Sequence, residues 1–116
     1  MSSNELLGCM ASALIACAMG PAQAKTFDVC PTRHHDPIQQ IYLFDGTPEE
    51  LAYLAPDNDT NASNLYSLES IYDNGRFVTV RCKYKGGSRV DLELKNRTSQ
   101  CTFRKDKAGY GNLRCR

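Results

Sequence analysis

The chain has 116 residues, with 14 Lys and Arg against 13 Asp and Glu, a formal net charge of +1 and 41% hydrophobic residues. Such a length excludes two domains of ordinary size, and a charge this close to zero excludes a surface built throughout for nucleic acid. The charge is nevertheless unevenly placed, since residues 25–75 hold 2 basic and 9 acidic side chains whereas residues 76–116 hold 12 basic and 3 acidic.

The first apolar run, Leu6 to Met19, is broken by Gly20-Pro21 and followed by Ala22-Gln23-Ala24. This is the small-residue pattern at which a secretory leader is cut, so residues 1–24 are expected to be a signal peptide and Lys25 the first mature residue. The region before the run departs from that pattern, because it carries Glu5 and no Lys or Arg. The run is too short for a comfortable membrane helix. Leu14-Ile15-Ala16-Cys17 resembles a lipoprotein cleavage box, and the membrane becomes a partner only if Cys17 is lipidated. Removing residues 1–24 from 116 leaves 92, enough for one exported domain with a thin core. Four cysteines remain, Cys30, Cys82, Cys101 and Cys115. An even set in a small exported chain points to two disulfides that offset limited burial.

Past Cys30-Pro31 and the polar His34-His35-Asp36-Pro37 step, Ile38 to Phe44 reads as a strand bounded by Pro37 and Asp45-Gly46. Thr47-Pro48-Glu49-Glu50 has the form of a helix start, with Thr47 as N-cap, Pro48 in the first turn and Glu50 completing a capping box. The expected helix is short, turns Leu51 and Leu54 inward and stops at Ala55-Pro56. Asp57 to Asn64 reads as a mobile polar loop, and Leu65 to Tyr72 as a strand that turns at Asp73-Asn74-Gly75.

From Val78 onward the residues alternate twice. Val78, Val80, Cys82 and Tyr84 alternate with Thr79, Arg81 and Lys83, and Val90, Leu92 and Leu94 with Asp91, Glu93 and Lys95. A three-residue Gly86-Gly87-Ser88 loop keeps both apolar faces together and pairs Tyr84 with Val90, Cys82 with Leu92 and Val80 with Leu94. Lys83 would then meet Asp91, and Arg81 would meet Glu93, on the outer face. A second hairpin centred on Ala108 sets Cys101 against Cys115 and Phe103 against Leu113, with Thr102, Arg104, Asn112 and Arg114 turned away. This geometry favours a Cys101–Cys115 disulfide and leaves Cys30 to Cys82. The fold expected is mainly β: a small antiparallel sheet of about five strands with one short helix, stapled by two disulfides.

No residue set carries catalysis. His34 and His35 are adjacent and point opposite ways in an extended segment, so no metal site is expected. Disulfides leave no free thiolate for a cysteine nucleophile. Asp57 and Asp59 lack the Gly and closing Glu of a calcium loop. Of the carboxylates Asp45, Glu49 and Glu50, the last is explained by the helix cap. The expectation is a protein that is not an enzyme and takes no cofactor. The basic C-terminal half reads as solvated strand surface, with no nucleic acid as partner.

The order Cys30-Pro31, Leu43-Phe44-Asp45-Gly46-Thr47-Pro48-Glu49-Glu50-Leu51-Ala52, Val80-Arg81-Cys82-Lys83-Tyr84 and the closing Cys101 and Cys115 resembles a family of small disulfide-containing periplasmic proteins of Gram-negative bacteria. Its members are similar in kind to immunity proteins that neutralise type VI amidases and to periplasmic lysozyme inhibitors. The resemblance implies a periplasmic binding protein that blocks a peptidoglycan-degrading enzyme. A homodimer is compatible with this reading. Loops on a rigid scaffold commonly make recognition contacts, so the expected contact residues are Asp57, Asn58, Asp59, Asn61 and Tyr110. The alternative is an envelope-associated protein whose basic sheet face, with Arg81, Lys83, Lys85 and Arg89, meets anionic lipid or glycan.

Overall fold

The computed structural model describes residues 25–60 and 62–116; the expected leader and Cys17 lie outside them. Among the described residues the strands are β1 (Phe27–Asp28), β2 (Ile38–Asp45), β3 (Asn58–Asp59), β4 (Ser63–Ser67), β5 (Val78–Tyr84), β6 (Arg89–Leu94), β7 (Gln100–Lys105) and β8 (Gly111–Cys115). A 3-10 turn, Pro48–Glu50, and one short helix, α1 (Glu69–Asp73), interrupt them. All pairings are antiparallel, in the order β3-β4-β7-β8-β2-β5-β6, with β1 on the same edge of β8 as β2. The class is the expected one, although eight strands replace about five.

The sheet consists of two halves. β2, β5 and β6 make one, β3, β4, β7, β8 and β1 the other, and the ladder between them is a single pair, Ile38 with Gly111. Gly111 is required there, because a Cβ at this position would run into the Phe103 ring. Inward residues of both halves meet in one core, with Ile41, Leu43, Val80 and Tyr84 from the first and Tyr66, Phe103 and Leu113 from the second. Burying each such side chain contributes about 1.5–3 kcal/mol. Two disulfides lie in this core, Cys30–Cys82 across the halves and Cys101–Cys115 within the second hairpin.

The second hairpin has the expected register, Cys101 opposite Cys115 and Phe103 opposite Leu113. The first is corrected by two residues: Cys82 pairs with Val90, Val80 with Leu92 and Val78 with Leu94. A shift of two keeps the same face inward, so alternation alone could not exclude it. The turn decides. Its three-residue loop is Lys85-Gly86-Gly87, closed by Tyr84 N donating to Ser88 O at 2.9 Å. The last loop residue has φ +99°, which Gly87 accepts and Ser88 would not. In this register Arg81 meets Asp91 rather than Glu93, while Lys83 lies opposite Arg89.

Three local expectations also change. The helix begun at Thr47 stops after one 3-10 turn, where Leu51 takes φ 58° and is 68% exposed instead of facing inward. The chain turns back because Phe44 needs cover. Asp45 N donates to Ala52 O and Leu54 N to Leu43 O, both at 2.9 Å. Tyr53 thereby packs 4.7 Å from the Phe44 ring, and Phe44 is fully buried on the outer side of β2. Asp57 to Asn64 contains β3 and the turn into β4, with Asn58 opposite Leu65 and Asp59 opposite Asn64. The strand expected to reach Tyr72 ends at Ser67, because α1 follows and turns Ile71 into the core while the Tyr72 hydroxyl donates to Leu94 O.

Candidate functional site: the loop-bearing end of the sheet

Strand directions gather four connections where one end of each half abuts the other, because β2 and β8 both begin at the Ile38–Gly111 pair and run off in opposite directions. Ile38, Tyr84, Lys105 and Gly111 all terminate there, as their pairings require. The 31–37 segment, the 85–88 turn and the 106–110 turn therefore lie side by side. The β3–β4 turn joins them, since Lys105 N donates to Ala62 O at 2.9 Å. A groove of about 410 Å³ opens between the 31–37 segment and the 106–110 turn, with Ile38, Tyr84, Arg104 and Gly111 in its lining.

Short polar contacts shape this end. Asp106 Oδ1 accepts from Ala108 N at 2.9 Å and from Tyr110 N at 3.0 Å, which holds the β7–β8 turn. Asp36 Oδ1 accepts from Gly86 N at 2.7 Å and ties the 31–37 segment to the β5–β6 turn. The Tyr84 hydroxyl donates to Pro31 O. Arg33 stacks 4.4 Å over the Tyr84 ring and donates to Ser88 Oγ at 3.1 Å. Lys85 Nζ lies 5.4 Å over the Tyr110 ring, and the hydrogen bond to the Tyr110 hydroxyl raises its ammonium above the ordinary lysine range.

Both carboxylates in the groove lining are thus engaged by backbone N–H groups, while Arg33, Arg104 and Lys105 line it as cations. Three cations against two carboxylates leave the concavity, which also bears the Tyr84 and Tyr110 rings, slightly positive and suited to a partner surface carrying negative charge.

Of the expected contact residues, Tyr110 is half-buried in the groove lining. Asp57 is exposed and its Oδ2 accepts from Ser67 N at 2.9 Å, and Asn58 is an exposed member of β3. Asp59 belongs to β3 at the edge of the sheet, and Asn61 lies outside the described residues. The β3–β4 turn and Tyr110, 50 residues apart in the chain, reach the same end. Sequence reading missed Arg33 and Asp36, which carried no periodic signal. Asp106 was legible in principle, because Asp three residues before Gly109 matches a capped turn.

The basic face expected around Arg81 is less open than its composition implies. Arg81 makes two hydrogen bonds to Asp91, at 2.8 and 3.0 Å, and lies 5.2 Å over the Phe44 ring. His34 and His35 are exposed, with ring centroids 3.8 Å apart. Among the described residues no three or more His, Cys, Asp or Glu side chains are grouped to hold a metal ion, and no helix is long and apolar enough to cross a membrane.

A stapled sheet that presents its turns together around a charged groove is a recognition scaffold. A family model described as "Type VI secretion system Tli immunity protein" matches residues 32–116, so the chain belongs to that family. No curated protein and no solved structure matches it.

Proposed function

We propose that the protein is a periplasmic immunity protein that binds a type VI effector and holds it inactive by covering its active-site cleft. Family membership supports an effector as partner. The observation that carries the mode of binding is the groove between the 31–37 and 106–110 connections, with the 85–88 turn tied to the first through Asp36 and Ala62 hydrogen-bonded to Lys105 beside the second. The Cys30–Cys82 disulfide ties the start of the 31–37 segment to β5 beside that groove, and Cys101–Cys115 closes the opposite end of the β7–β8 hairpin, so little conformational entropy is lost on docking. The protein acts by occlusion and performs no chemistry of its own. The effector we propose is an envelope hydrolase, with peptidoglycan amidases and lysozymes the first to test.

The experiment is retention of purified effectors by the oxidised protein, paired with survival of cells that express the same effector in the periplasm. We expect one effector to be retained and its cells protected. Tyr110→Ala combined with Lys85→Ala should weaken retention about tenfold or more, since aromatic and charged anchors dominate interfaces. No retention of any amidase or lysozyme would remove that choice of target. Retention unaffected by the double variant would remove the loop-bearing end as the contact surface.

A further inference from the structure

A second groove, of about 350 Å³, runs along the solvent face of β7 and β8, below the loop-bearing end. Gln100, Thr102 and Arg104 line it from β7, and Asn112, Arg114 and Arg116 from β8 and the residue after it. The hairpin register sets Thr102 beside Arg114 and Arg104 beside Asn112. Gln100 and Arg116 face each other, with Arg116 N donating to Gln100 O at 2.9 Å. Alternate residues on a strand are about 6.5–7 Å apart, so Arg104 on β7, level with Asn112, and Arg114 and Arg116 on the β8 side stand at successive two-residue levels of the hairpin.

These arginines are held in different degrees. Arg116 donates from Nε and Nη2 to Gln100 Oε1, at 3.0 and 2.6 Å, which orients its plane without neutralising it. Arg114 donates to Thr26 Oγ1 at 2.9 Å, and Asp28 at the rim lies 3.3 Å from its Nε. Arg104 is exposed, and its side chain has no hydrogen-bond or carboxylate partner among the described residues. No Asp or Glu lines this groove; Glu69 lines the adjoining hollow that Arg116 shares. Arg104 and Asn112 line both this groove and the one at the loop-bearing end, so the two are continuous.

We propose that this arginine track receives an extended acidic segment of the protein partner, with successive alternate carboxylates lying on Arg104, Arg114 and Arg116. In taking the occupant to be a protein, this rests on the immunity reading above. A guanidinium fork matches a carboxylate in two parallel hydrogen bonds, and three arginines at successive two-residue levels of a hairpin match a strand with acidic residues at every second position. Gln100, Thr102 and Asn112 add both donors and acceptors between the cations, which suits a peptide backbone. A bilayer surface would meet the rim of a concave trough, not its floor.

The test titrates the oxidised full chain with a fluorescent Glu-Ser-Glu-Ser-Glu-Ser peptide, and in parallel with phosphatidylglycerol vesicles. We expect salt-sensitive peptide binding that weakens about tenfold for each of Arg104→Gln and Arg114→Gln. Lys95→Gln, in the other half of the sheet and outside both grooves, should leave it unchanged. Absence of peptide binding, equal weakening by Lys95→Gln, or vesicle binding in place of peptide binding would each overturn the proposal. A second arm compares effector retention by the native chain and by the Arg104→Gln/Arg114→Gln variant, at matched melting temperature. Equal retention overturns the track and leaves the immunity reading standing. If the native chain retains no effector yet binds the acidic peptide through these arginines, the immunity reading fails and the track stands.

Discussion

The two C-terminal hairpins are built alike and were not equally legible. Each closes on a three-residue loop, Lys85-Gly86-Gly87 in β5–β6 and Lys107-Ala108-Gly109 in β7–β8, and each places a positive φ on the last loop residue, +99° and +87°. Both turn one apolar face to the same core. They differ in what marks the register. In β7–β8 two cysteines must oppose each other, and that pair selects one alignment among those that keep the faces matched. In β5–β6 only alternation and charge are present: alternation admits two alignments two residues apart, and charge favours the one with two opposite-charge pairs over the one observed, in which Lys83 lies opposite Arg89. Alternation therefore assigns a face, and a separate pin is needed to assign a partner.

The hairpins also differ in reach. The Cys101–Cys115 bridge joins residues 14 apart, whereas Cys30–Cys82 joins residues 52 apart and ties the β1 side of the sheet to β5. Loop-closure entropy gives about 4 kcal/mol for the longer bridge and about 3 kcal/mol for the shorter. Urea denaturation of the oxidised Cys30→Ser/Cys82→Ser and Cys101→Ser/Cys115→Ser variants should show losses in that order. The reverse order would mean that packing across the two halves, not the long bridge, holds them together.

Gly87 sharpens the comparison at the turn. Gly87→Ala forces a Cβ into the left-handed region and should cost about 1 kcal/mol, read from the shift in urea midpoint. Ser88→Gly should gain nothing, because Ser88 is not the residue with positive φ. Stabilisation by Ser88→Gly would restore the alignment in which Gly86-Gly87-Ser88 is the loop.

The smallest effect lies on the outer face of β5–β6. The Arg81 side chain hydrogen-bonds Asp91 and holds its carboxyl below the ordinary aspartate range. A carboxylate with a lowered folded pKa stabilises fully above its unfolded value of about 3.9, and that stabilisation is lost as pH falls through the folded value. Arg81→Gln should therefore melt lower at pH 6, with the ionic part worth about 0.2–1 kcal/mol, and the gap should narrow below about pH 4. Lost packing of Arg81 on Phe44 adds a pH-independent offset. Glu50, also lowered, chiefly by the Thr47 backbone N–H and then by Arg76, is untouched by the variant. A gap constant with pH would remove the Asp91 pair as a contributor.

Local chemistry determined the β class, both disulfide pairs, the β2 strand, the Thr47–Glu50 cap and the β7–β8 register, because each depends on neighbours in sequence or on cysteines that must meet. Tertiary structure alone decided the rest. Leu51 turns outward because the chain folds back to cover Phe44, and a polar stretch at residues 57–64 includes a strand because β4, paired with β7, offers it an edge. The loop-bearing end arises because antiparallel order returns four separate connections to one place. The arginine track follows the β7–β8 register, yet its openness depends on where the acidic side chains are held. Asp28 sits at its rim, and Asp36 and Asp106 are held by backbone N–H groups at the loop-bearing end. A one-dimensional pattern carries periodicity and spacing, whereas which charges remain uncompensated depends on distances between residues far apart in the chain.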